Sequence, residues 1–212
     1  MTQQNYREIL LDTSFCPWPS TNESLEAITR ALTVRGDDKV IAICGCGAQP
    51  LALLENLGEQ GEVIAIDNNI QQIKYAQALV ECLKQGDFVE FCRPHIAPFD
   101  DFYFFPKERL EKIVANLDKL HFSVMDVTQK PRIHNYFSKG YFSNTPVNLK
   151  YFHQAFKEGA LIYLTCGSPG ARTQFLEFNA RDLYALDKEK TELASKIETS
   201  KYDWTPVVLR KQ

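Results

Sequence analysis

The chain has 212 residues, 44% hydrophobic and 24% charged, with a formal net charge of −3; this suits one α/β domain and leaves no room for a second large one. A weakly acidic chain without a basic run argues against a sequence-independent grip on nucleic-acid phosphates. No apolar run approaches the ~20 residues of a membrane span and the N-terminus lacks the regions of a signal peptide, so a reducing cytoplasm is the expected compartment.

Residues 1–19 read as an irregular lead, punctuated by Phe15-Cys-Pro-Trp-Pro19. Ser20-Thr-Asn-Glu23 has the pattern of a capping box. Leu25, Ile28, Ala31 and Leu32 follow at helical spacing, and the helix is expected to end near Arg35 and Gly36. Lys39-Val-Ile-Ala-Ile-Cys44 is a short, nearly continuous apolar run, the pattern of a strand buried on both faces of a parallel sheet. Gly45-Cys-Gly-Ala48 is a turn, and Pro50 stands where a first-turn proline is tolerated. Leu51, Leu54 and Leu57 give the next helix its apolar face, and Gly58 and Gly61 break it. Glu62-Val-Ile-Ala-Ile-Asp67 is a second buried strand ending on a carboxylate, followed by an amphipathic helix from Ile70 to Leu83. Residues 39–84 therefore form a βαβ unit of the dinucleotide-binding kind.

Residues 85–117 are rich in aromatics, including Phe88, Phe91, Phe99 and Phe105, and read as a cluster covering a sheet edge, as a lid, or as an apolar acceptor pocket. A helix is expected over 109–117, a third strand over 121–126, a fourth over 140–144 and a fifth over 160–165. Leu149, Phe152 and Phe156 supply a helix face between the last two. The tail reads as a helix over 182–199 and a strand over 206–210, with residues 173–179 the candidate for one more strand. The expected fold is a single-domain, Rossmann-like, doubly wound and mostly parallel α/β sheet with helices on both faces.

Chemistry is expected at the carboxyl ends of the strands. A ligand approaching the backbone at Gly45 and Gly47 requires that side chains be absent there. The helix starting near Gln49 offers unpaired amides and a positive dipole end. A nicotinamide fingerprint wants a third glycine where this chain has Pro50, which has no N–H to donate, and that weakens the nicotinamide reading. Asp67 lies at the end of the second strand, where a carboxylate accepts from ribose hydroxyls or caps a helix beginning at Asn69. Gln71 either assists from the first turn or lies on a solvated face. Asp126 ends the third strand and either takes a hydrogen bond from a base, with Val127 packing on the ring, or closes a turn. Ser143-Asn144-Thr-Pro146 ends the fourth strand, facing the place of the reacting group; asparagine there is also a turn former. Cys44 and Cys46, one residue apart with no histidine near, are a poor zinc pair, and no metal is expected. His95, Asp100 and Asp101 stand in the aromatic stretch without a spacing that demands chemistry, and His134 and His153 read as surface or core residues. No Ser-His-Asp or Cys-His arrangement stands out.

The runs Val40-Ile-Ala-Ile-Cys-Gly-Cys-Gly47 and Val63-Ile-Ala-Ile-Asp67 resemble those of class I S-adenosylmethionine (SAM)-dependent methyltransferases. More narrowly, Cys44-Gly-Cys-Gly-Ala-Gln-Pro-Leu-Ala-Leu-Leu54 and Ala65-Ile-Asp-Asn-Asn-Ile-Gln71 look like the betaine-lipid 3-amino-3-carboxypropyltransferases. In that family a glycine turn runs into Leu-x-Leu-Leu, and an Asn and a Gln follow the second-strand aspartate. This chain is much shorter than those enzymes and lacks most of their N-terminal region. The resemblance implies SAM as cofactor. With the residues read above, the expected cofactor site comprises Cys44, Gly45, Cys46, Gly47, Asp67, Asn68, Gln71, Asp126, Val127, Ser143 and Asn144. The expected function is methyl transfer to a small or lipid-like acceptor. Aminocarboxypropyl transfer and a non-catalytic binding protein of the same fold are the alternatives. No catalytic acid or base is assigned, because a sulfonium is already activated and positioning supplies much of the rate.

Overall fold

The structure, a computed structural model, describes residues 5–12, 23–88, 91, 105–145, 147–165, 182–198 and 205–212. Seven strands form one sheet: β1 (Lys39–Ile43), β2 (Glu62–Asp67), β3 (Leu120–Val124), β4 (Phe137–Ser143), β5 (Phe156–Thr165), β6 (Tyr184–Leu186) and β7 (Val207–Lys211). Their spatial order is β3-β2-β1-β4-β5-β7-β6. The first five run parallel, and β7 is antiparallel to both β5 and β6. Strand order reverses between β1 and β4, which opens a crevice at the carboxyl ends of those strands.

The described helices are α1 (Asn5–Leu11), α2 (Leu25–Leu32), α3 (Ala48–Ala52), α4 (Ile70–Lys84), α5 (Lys107–Val114), α6 (Leu149–His153) and α7 (Lys188–Ile197). β1 shows why the sheet is covered on both sides. Val40 and Ala42 enter one apolar cluster with residues of α1 to α5 and α7, and Ile41 enters a second cluster with α6. Alternate residues of a strand point to opposite faces, so a continuous apolar run needs cover on each. The Rossmann-like, mostly parallel α/β fold expected from the sequence is the fold observed.

Several elements differ from the sequence reading. The irregular lead contains α1, because Tyr6, Ile9 and Leu10 place an apolar face on one side of it. Tyr6 and Leu10 are buried, and the Arg7 guanidinium meets the Asp87 carboxylate at 2.6 Å. The N-cap of α2 is Ser24, which accepts from the Ala27 amide at 3.2 Å; Glu23 therefore stands before the helix and is not its capping acid. That helix ends at Thr33, in the left-handed conformation, whereas Gly36 crosses close to Gly58, whose amide donates to the Gly36 carbonyl at 2.6 Å. Helix α3 covers only Ala48–Ala52, with turns after it, so Leu54 and Leu57 are buried without being helical. Phe156 opens β5 and does not continue α6. Residues 184–186 form the sixth strand, and the following helix begins only at Lys188, where Asp187 caps it by accepting from the Lys190 amide at 3.1 Å. The alternative strand, 173–179, lies outside the described residues, as do Phe99, His95, Asp100 and Asp101. Of the aromatic stretch, Phe91 and Phe105 are buried and meet edge to face at 5.3 Å between ring centroids. Among the described residues, no helix is long and apolar enough to cross a membrane.

α7 is fastened to β7 by one buried hydroxyl. The Val208 amide donates to Thr191 Oγ1 at 2.9 Å. Thr191→Val keeps the shape and leaves that amide without its acceptor, so a loss of about 1–3 kcal/mol is expected. At roughly 2–4 °C per kcal/mol for a chain of this size, calorimetry should show a midpoint several degrees lower.

Candidate functional site

The carboxyl end of β1 runs into the glycine turn. The Gly47 amide donates to the Cys44 carbonyl at 2.8 Å, closing the turn, and both Gly45 and Gly47 have positive φ, 50° and 93°. A Cβ on Gly45 would meet only the end of the Gln49 side chain, at 3.1 Å. A Cβ on Gly47 would stand 2.9 Å from the Ala76 Cβ in α4. The two glycines thus serve different ends. Gly47 lets the turn sit on α4, and Gly45 keeps a backbone conformation open towards the crevice. Cys44 and Cys46 are buried in the core, with Cys46 Sγ 3.6 Å from Gln49 Oε1. With α3 only five residues long, its dipole is slight, and its first amides offer less to an anion than the sequence suggests.

Asp67, at the end of β2, reaches across to this turn. Its carboxylate receives the Asn69 amide at 2.9 Å and the backbone amides of Gly45 and Asn68. Even so, its pKa is raised, because burial outweighs those donors. Asp67 is not the cap of α4: that role falls to Asn69, whose side chain accepts from the Gln71 amide at 2.9 Å. Asn68 is exposed beside it. Gln71 Oε1 is buried and has no hydrogen-bond partner among the described residues. The neighbouring Gln72 Nε2 donates to the Gly45 carbonyl, a second tie between α4 and the turn. Two apolar side chains flank Asp67 in the open, Ile70 at 47% exposure and Val124 at 56%. Val124 is the residue paired with Asp67 in the β2–β3 ladder.

At the end of β3, the Asp126 carboxylate receives the Thr128 amide at 2.9 Å and the Thr128 hydroxyl at 2.7 Å, and these donors lower its pKa. It closes its own turn, the second of the two roles read from the sequence. Val127 is buried in the second cluster, under the turn. Asn144 ends β4 at φ 49°, exposed, with its amide donating to the Thr165 carbonyl at 3.0 Å. Ser143, one residue earlier, faces inward.

Ser143 leads to a group that the sequence reading missed. The hydroxyls of Ser143 and Tyr141 donate to the two carboxylate oxygens of Glu23, which is 3% exposed. Gln49 also hydrogen-bonds to this carboxyl, linking it to the glycine turn. Burial pushes the Glu23 pKa up to about 7, against the opposing effect of the two hydroxyls, and the nearby Glu198 carboxylate adds to the rise. A signal for this was present. Tyr141-x-Ser143 and Tyr163-x-Thr165 put hydroxyls on alternate positions of two strands, on a face that must be buried. Such a face calls for a polar partner from elsewhere in the chain.

The strand order, with a glycine turn after β1 and an acid at the end of β2, is that of a Rossmann-like, mostly parallel α/β sheet. No family model matches the chain, and no curated protein sequence matches it; solved structures do. The chain is similar to the tRNA (m1A58) methyltransferase TrmI from Aquifex aeolicus, with a TM-score of 0.57 at 15% identity over 98% of this chain and 76% of that one. It is similar to a SAM-dependent O-methyltransferase from Thermotoga maritima, TM-score 0.56 at 12% identity, covering 88% of this chain and spanning 64% of the Thermotoga chain. The [4+2]-cyclase SpnF is alike to the same degree, TM-score 0.56 at 11% identity over 88% of this chain and 79% of that one. The fold is therefore shared by proteins described by different reactions, and the site must decide among them.

Proposed function

We propose that the chain is a SAM-dependent methyltransferase with a small or lipid-like acceptor. The observation that carries this reading is the contact between Asp67 and the Gly45 amide, which sets a half-buried carboxylate against the glycine turn at the strand-order reversal. The surroundings fit a nucleoside. Gln71 Oε1, in the first turn of α4, is a buried acceptor with no partner among the described residues, and Ile70 and Val124 offer exposed apolar faces to a base. In this reading Asp67 holds the ribose, with Asn68 and Gln71 alongside. The backbone of Cys44, Gly45, Cys46 and Gly47 lines the amino-acid branch. Asp126 and Val127 shape the turn beside the base, and Ser143 and Asn144 border the reacting carbon. Bound SAM supplies an activated alkyl group on sulfur, so the residues of the chain have to orient two partners and exclude water. Neighbours of this fold include structures with MeSAdo and with sinefungin bound, which supports a SAM-like nucleoside as ligand.

Calorimetric titration with SAM tests the cofactor. Asp67→Ala is expected to weaken binding by on the order of 1.5–3 kcal/mol, the usual worth of hydrogen bonds to a charged group, or about 10–150-fold. Unchanged affinity in a folded variant would remove Asp67 from the site. Chromatography of the nucleoside product then separates the chemistries. S-adenosylhomocysteine marks methyl transfer. Methylthioadenosine marks aminocarboxypropyl transfer and would rule out methyl transfer as the main reaction.

A further inference from the structure

Strands β4 and β5 carry four hydroxyls on one face. Tyr141 pairs with Tyr163, and Ser143 with Thr165, so the four form a two-by-two block. Phe142 and Leu164, the intervening residues, point to the opposite face and its apolar cluster. The block adjoins the strand-order reversal, because Tyr141 is also paired with Ala42 of β1. Two carboxylates close it from the helical side. Glu23 receives the Tyr141 and Ser143 hydroxyls, and Glu198 accepts from the Ser24 amide at 3.2 Å and acts electrostatically on both Glu23 and Tyr163.

The other two hydroxyls are different. Tyr163 and Thr165 are each 0% exposed, and neither side-chain oxygen has a hydrogen-bond partner among the described residues. A buried hydroxyl without a partner has given up its hydrogen bonds to water and received none in return. Phenylalanine and valine would fill the same space without that cost, so packing does not account for the pair. Burial also holds the Tyr163 phenol well above its ordinary pKa, as a neutral hydroxyl with lone pairs to offer.

We infer that this block receives a protonated amino group, and that the acceptor of the transfer reaction is an amine, which would pass one N–H proton to a neighbouring carboxylate before its nitrogen lone pair takes the alkyl carbon, the carbon–sulfur electron pair staying on sulfur. An ammonium has three donors and no acceptor. Two hydroxyl oxygens and the neighbouring carboxylates match it, and their negative character disfavours an anion. The inference rests on the SAM reading for which substrate carries the amine. The nucleoside end is anchored at β2, and three strand spacings, roughly 14 Å, separate it from β5. That distance puts the orphan hydroxyls on the acceptor's side of the reacting carbon.

The test uses benzylamine and butylamine, with benzyl alcohol and butanol as uncharged controls, titrated into the full chain with and without S-adenosylhomocysteine. Wild-type protein is expected to bind the amines at least tenfold more tightly than the alcohols. Tyr163→Phe and Thr165→Val are each expected to lose most of that preference, with unfolding midpoints equal to or above wild type and S-adenosylhomocysteine affinity unchanged. A merely structural pair of hydroxyls would not move the amine preference. No preference in wild type, or an undiminished preference in both variants, overturns the inference. So does a loss of S-adenosylhomocysteine binding with methylthioadenosine binding retained, since the block would then hold the nucleoside's own amino group. If neither nucleoside binds but the amine preference is present and is lost in the variants, the block stands as an amine site and the SAM reading falls. If nucleosides and amines all fail to bind, both fall.

Discussion

Gly47→Ala is expected to destabilise the protein by about 2–6 kcal/mol, through two separable effects. A residue with a side chain held at φ 93° is strained, at about 1–3 kcal/mol. The new Cβ also stands 2.9 Å from Ala76 Cβ and 3.2 Å from Ala76 Cα, and overpacking of this kind costs roughly 1–3 kcal/mol. Against a total stability of about 5–15 kcal/mol, that is a large fraction. Urea denaturation of three variants separates the terms. Gly47→Ala combined with Ala76→Gly should recover most of the packing part, less the ~1 kcal/mol of a glycine in a helix, and leave the backbone part. Gly45→Ala should cost less than Gly47→Ala, because its Cβ meets only the movable end of Gln49. Equal losses at the two glycines would contradict the division of roles between them.

The second large effect is on pH dependence. The Glu23 carboxyl titrates at about 7 in the folded protein, against an ordinary value of 4.5. Below pH 4.5 the group is neutral in both states, and its burial carries no electrostatic penalty. Between 4.5 and 7 the unfolded chain ionises while the folded one holds its proton, so stability falls as pH rises. Above 7 both are ionised and the full penalty is present, roughly 3 kcal/mol at 1.36 kcal/mol per pKa unit. Glu23→Gln removes this slope. Its stability relative to wild type should be near zero at pH 4 and rise to as much as roughly 3 kcal/mol in the variant's favour at pH 8. Other titrating groups are common to both proteins and cancel in the difference. A difference that stays flat between pH 4 and 8 would mean that Glu23 ionises as an ordinary surface carboxyl does.

The parts of the molecule legible from the sequence are those where one physical constraint dominates. A strand buried on both faces leaves a continuous apolar run, and β1, β2 and the core of β5 follow from that alone. The glycine turn and Asp67 were legible because a βαβ unit fixes where its loops fall. Local signals failed where tertiary contacts override them. Ser20 to Glu23 has the spacing of a capping box, yet Ser24 caps the helix, because Glu23 is drawn into hydrogen bonds with Tyr141 and Ser143, more than a hundred positions away. Residues 184–186 merged with a predicted helix because three residues are too few to show a period of two. Asp126 illustrates the limit for sites: the same acid at a strand end suits a ligand or a turn, and only the positions of Thr128 and Gln129 show that its oxygens close the turn.

The position of β7 bears on the order in which the protein is assembled. It lies between β5 and β6, and among the described residues β6 has no other strand to pair with. The amide of Val208 is likewise the partner of Thr191 in α7. During synthesis, then, β6 and α7 emerge before the strand that fastens them. Glu198, which holds the Ser24 amide next to Glu23, depends on the end of α7 being in place. The glycine turn and Asp67 form from contacts close in sequence and can be organised early, whereas the acidic side of the crevice waits for residues 207–211. A ribosome-bound chain is thus expected to organise its glycine turn first and the carboxylates of Glu23 and Glu198 last.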